Sequence, residues 1–105
     1  MNILHLNLKR KWFDMILSGE KKEEYRKLSA YWTGIFSHRV KVKGKNYHPA
    51  DVTICFSNGY SKNRRQIFIE CKGVHVGEGV PEWGAEKKES YFVIRLGKII
   101  NTKNL

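Results

Sequence analysis

Leu4, Leu6 and Leu8 alternate with His5 and Asn7, the period of a half-buried strand. The pattern then changes. Trp12, Phe13, Ile16 and Leu17 fall on one helical stripe, and Gly19 follows where a left-handed cap ends a helix. Because Gly19 breaks the pattern, Lys21–Leu28 reads as a strand despite its fair helix propensity. Ala30–Phe36 suits a short helix or turn. Next, Arg39, Lys41, Lys43 and Lys45 alternate with Val40 and Val42. A strand here puts all four cations on one face, and a solvated loop fits equally well. Val52, Ile54 and Phe56 predict a strand, followed by turn chemistry at Asn58-Gly59-Tyr60-Ser61. Ile67, Ile69 and Cys71 open another strand that can extend through Val74 and Val76. Pro81–Glu89 reads as a loop, and Phe92, Ile94 and Leu96 begin a last strand that can reach Ile100. The expected fold is mainly β with short helices: about five or six strands in a small barrel, with a helix after the first.

At 105 residues the chain suits one domain spanning 1–105, with a single core. Its 41% hydrophobic content argues against disorder. No apolar run approaches the ~18 residues of a membrane helix, and Met1–Arg10 lacks the features of a signal peptide. Cys55 and Cys71 are too few for a disulfide scaffold, so a reducing, cytoplasmic setting is expected. The four histidines show no metal-binding spacing, and neither metal nor cofactor is expected. Charge is the strongest signal. Twenty basic residues against ten acidic give +10, and residues 1–50 hold eleven basic and four acidic side chains. Such an excess attracts polyanions, with nucleic acid first, through counterion release. A generic basic surface is the plain alternative.

The most informative stretch is Gly19-Glu20-Lys21-Lys22-Glu23-Glu24-Tyr25-Arg26. It places Lys21, Glu24 and Arg26 just past a helix-ending glycine. Arg26 and Lys21 suit phosphate, and Glu24 can orient them. A lysine near other cations can also serve as a base. The competing reading is a solvated strand with cross-strand ion pairs. Trp32, Tyr60 and Trp83 can stack on bases or simply pack. Arg95 points away from Phe92, Ile94 and Leu96, either into a cleft or onto the surface.

The helix Trp12-Phe13-Asp14-Met15-Ile16-Leu17-Ser18 followed by Gly-x-Lys-x-x-Glu-x-Arg resembles the signature of the ASCH family, within the PUA-like superfamily of small barrels. Tyr31-Trp32, Asn58-Gly59-Tyr60, Glu82-Trp83-Gly84 and Tyr91–Gly97 add to the resemblance, while residues 38–50 match nothing in it. The resemblance implies an RNA-related function: binding of single-stranded RNA or a modified nucleotide in a cleft lined by Lys21, Glu24 and Arg26. Trp32, Asn58, Tyr60, Arg95 and the cations Arg39, Lys41, Lys43 and Lys45 join the candidate binding set. Some ASCH proteins hydrolyse N4-acetylcytidine, and others are described as ribonucleases, which makes Lys21 a candidate general base with Glu24 beside it. The threonine of the amidohydrolase branch is replaced here by Glu24. The distal glutamate of that branch has two candidates, Glu70 and Glu78. A protein-interaction module with incidental charge is the third reading.

Overall fold

The computed structural model describes residues 2–105. In chain order, β1 (Asn2–Asn7), α1 (Arg10–Leu17), β2 (Glu23–Lys27), α2 (Ala30–Phe36), β3 (Val40–Val42), β4 (Lys45–Tyr47), β5 (Val52–Asn58), β6 (Arg65–Glu78) and β7 (Ser90–Lys103) are joined by turns and two 3-10 segments. The alternating patterns identify β1, β5, β6 and β7, the break at Gly19 identifies β2, and α1 and α2 lie on the expected helical stripe and on the segment expected as a helix or turn. Helix α1 stops because Gly19 adopts φ +85°, allowing its N–H to reach Ile16 O at 3.1 Å.

Five strands form one sheet in the order β1-β5-β6-β7-β2, parallel only between β1 and β5. The long β6–β7 pair carries register shifts between Phe68 and Gly73, and such bulges bend a sheet. One apolar core lies inside it, with Phe13, Ile16, Phe56, Ile67 and Ile94 fully buried. The sheet does not close into a barrel: β1 and β2 are its edges and share no backbone ladder. A side chain spans the seam instead, with Arg26 Nη2 donating to Asn7 O at 2.9 Å. Strand β2 is only five residues long and its inward positions carry Glu24 and Arg26, so the seam is polar.

The expectation of four cations on one strand face is corrected. Lys43 and Gly44 both have positive φ and turn the chain, splitting the segment into the hairpin β3–β4. Lys45 pairs opposite Val42 while Lys41 pairs opposite Asn46, so the two lysines project from opposite faces. Arg39, with φ 62°, precedes the hairpin. Cys55 and Cys71 are free and buried, and burial pushes both thiols up. No helix among the described residues is long and apolar enough to cross a membrane.

Candidate functional site

The turn after α1 and the first residues of β2 bring three charged groups together. Glu24 and Arg26 are two residues apart on a strand, so both face inward, opposite Ile94 and Phe92. Lys21 precedes the strand in a turn fixed by its own N–H to Met15 O, 2.9 Å. The Lys21 ammonium lies 3.2 Å from Glu24 Oε1, and Glu24 Oε2 accepts from Arg26 Nη2 at 2.8 Å. Lys21 is only 2% exposed and Glu24 6%. One carboxylate thus holds two cations in a largely dry setting, where removing it is costly.

Lys21 makes a further bond across the fold, donating to Trp83 O at 2.7 Å. The rings of Tyr25 and Trp12 lie 4.7 and 5.4 Å from its ammonium. Trp12 packs closely on Gly84, where a φ of +108° and the nearby indole leave little place for a side chain. Lys21 therefore anchors the 3-10 turn Pro81–Trp83. Burial lowers its pKa from the ordinary lysine value. Glu24 opposes that shift, and Arg26 adds to it.

The sign of the pH effect follows. A depressed folded-state pKa means that the unfolded chain holds more protons between the lowered value and the ordinary 10.5. Across that window the Lys21 contribution to stability rises with pH, by at most about 1.4 kcal/mol per pH unit. The raised thiols and the raised Tyr25 hydroxyl act in the opposite sense. The stability difference between wild type and Lys21→Met isolates the lysine. Urea midpoints at several alkaline pH values should show that difference growing toward pH 10.5. A constant difference would remove the buried-lysine account.

Above this cluster an open cleft of about 510 Å³ lies between the end of β1, strand β2, helix α2 and the Trp83–Gly84 turn. Its walls include Trp12, Tyr25, Trp32, Trp83 and Tyr91, and Lys9 and Lys27 also line it. Arg26 lies in the cleft with its guanidinium 4.9 Å from the Trp32 ring. Trp32 is set by the Ser29 cap of α2, whose Oγ accepts from Trp32 N at 3.3 Å, and by stacking on Phe36. Arg26 Nε is buried with no acceptor among the described residues. An unpaired buried donor costs about 1–3 kcal/mol, a cost that an entering acceptor would offset. Tyr25 is held in turn, its hydroxyl donating to Glu23 Oε1 at 2.7 Å and accepting from Val80 N at 2.9 Å.

The candidate residues thus divide by position. Glu24, Arg26 and Trp32 converge on the cleft, and Lys21 supports it from below. Asn58 stands behind, bracing Leu8 O with its amide at 3.1 Å. Tyr60 borders a neighbouring depression. Arg39, Lys41, Lys43 and Lys45 do not line the cleft, and neither does Arg95. Arg95 projects from the face of β7 opposite Ile94 and lies across Gly73, where a Cβ would sit 2.6 Å from its guanidinium. Glu70 and Glu78 are exposed on β6, and Glu70 accepts from Lys98 N at 2.9 Å; neither lines the cleft. Sequence reasoning missed Asn7, whose contribution is a backbone carbonyl, as well as the roles of Trp12, Tyr25 and Tyr91. Trp12 belongs by spacing to the apolar stripe of α1, and Tyr25 sits between the motif's fixed positions. No family model, curated protein or solved structure matches this chain.

Proposed function

We propose that the cleft binds one nucleotide unit of single-stranded RNA, base against the aromatic walls and phosphate against Arg26, Lys9 and Lys27. The fold that this reading implies is an ASCH-type variant of the PUA-like barrel, its seam bridged by Arg26 in place of a backbone ladder. The carrying observation is the Arg26–Trp32 pair: a guanidinium 4.9 Å over an indole, fixed by Glu24 and Asn7, in an open aromatic cleft. Aromatic faces accept any base, and guanidinium groups accept phosphate oxygens. The hydrolase reading draws less support, because Lys21 Nζ is buried and engaged by Trp83 O and Glu24.

The test is fluorescence anisotropy with a random-sequence single-stranded RNA octamer across a salt series. Three to four neutralised phosphates should give a log–log slope of roughly −2 to −3. Trp32→Ala should weaken binding by about 5- to 150-fold, the range for loss of one stacked base. Failure of the wild type to bind at low salt would favour the protein-interaction reading.

A further inference from the structure

We propose a second nucleotide subsite on the other side of Asn7, formed by Tyr60 and Arg64, so that the ligand is a polynucleotide strand spanning both sites. This inference rests on the reading of the first cleft and extends it from a nucleotide unit to a strand.

Asn7 lines both the aromatic cleft and a separate depression of about 400 Å³ that also includes His5, Gly59, Tyr60 and Arg64. Asn7 is fixed on both sides. Its carbonyl accepts from Arg26 at 2.9 Å, and its side-chain amide donates to Gly59 O at 2.8 Å. One residue therefore couples the cation of the first site to the turn that carries Tyr60.

That turn is braced while its aromatic ring is free. Asn58 donates to Leu8 O and accepts from Arg65 Nη2, both at 3.1 Å, and Gly59 takes φ +90°. Tyr60 is nonetheless 89% exposed. The held backbone fixes where the ring is presented, so binding has only the side chain left to order.

The neighbouring cations are unequally committed. Arg65 pairs with Asp14 at 2.9 Å and lies over Phe13, so the fold already uses it. Arg64 donates once to Ser61 O at 3.2 Å and has no carboxylate partner among the described residues. No acidic side chain lines the depression. An aromatic ring accompanied by a guanidinium thus occurs on each side of Asn7: Trp32 with Arg26, then Tyr60 with Arg64. A nucleic-acid strand alternates stacking bases with phosphates in the same manner. In this proposal the Tyr60 subsite serves the strand alone, and a mononucleotide binds in the Trp32 cleft.

The experiment compares two probes. One is the labelled RNA octamer, read by anisotropy. The other is a mixture of the four ribonucleoside monophosphates, read by calorimetry. Tyr60→Ala should weaken octamer binding by about 5- to 150-fold and leave monophosphate binding unchanged. Tyr60→Phe, which keeps the ring, should stay within about twofold of wild type if stacking is the contact. Arg64→Ala should reduce the magnitude of the octamer salt slope by about 0.7. The exposure of Tyr60 separates these effects from folding, and a thermal melt checks this. If Tyr60→Ala binds the octamer as wild type does while Trp32→Ala does not, the second subsite is refuted and the first cleft stands. If Tyr60→Ala weakens both probes alike, Tyr60 belongs to a single shared site and the proposal fails. If the wild type binds neither probe, the first reading fails and takes this one with it.

Discussion

Glu24→Gln should be the most destabilising single substitution in the cleft region, costing about 3–5 kcal/mol, the usual penalty for stranding buried charges. The side chain keeps its shape but loses its negative charge. Lys21, held 3.2 Å away, and Arg26, at 2.8 Å, then face each other without an anion between them. Lys21→Met should cost less, because Glu24 retains Arg26, although Trp83 O loses its donor. The double variant Lys21→Met with Glu24→Gln should recover part of the single-variant loss, since one stranded cation is gone. Urea unfolding of the three variants measures the pattern. A Glu24→Gln loss below about 1 kcal/mol would mean that the cluster behaves like an exposed ion pair.

Arg26→Ala should reduce octamer affinity by about 10- to 150-fold at fixed salt, corresponding to a charge-assisted contact of about 1.5–3 kcal/mol. Lys43→Ala removes the same formal charge from an exposed turn outside the cleft lining, and its effect should be small and vanish as salt rises. Arg26→Lys separates charge from shape. A lysine keeps the positive charge but cannot present a planar fork, so most of the loss should remain. Because Arg26 also bridges the β1–β2 seam, a melting curve must show that the variants are folded at the assay temperature. Equal, small losses in Arg26→Ala and Lys43→Ala would point to diffuse attraction with no defined pocket.

Much of this arrangement was legible from local pattern. Gly19 marked the end of α1, and the strand expected over Lys21–Leu28 contains the observed β2, where the two-residue spacing of Glu24 and Arg26 puts both on one face. The convergence of Lys21 on Trp83 O was not legible, because its acceptor is a backbone carbonyl 62 residues away. Sheet closure was equally hidden. Strand count and spacing suggest a barrel, but closure depends on whether β1 and β2 meet, and no local pattern encodes that distance. For Arg95, alternation correctly set the side chain away from the core but could not say which surface lay outside. In the segment 39–45, period-two reasoning ran through a turn, since Lys43 adopts a left-handed conformation that its residue type alone does not announce.

The unclosed seam also bears on how copies of the chain meet one another. A sheet with free edges offers an unpaired ladder to any passing strand, the usual start of intermolecular β-pairing. Here β2 carries Glu23, Glu24, Arg26 and Lys27 among its five residues, and Arg26 is already tied to Asn7 across the gap. A foreign strand seated along β2 would have to displace that tie and desolvate several charges at once. The polar seam that makes a cleft therefore also resists aggregation along β2.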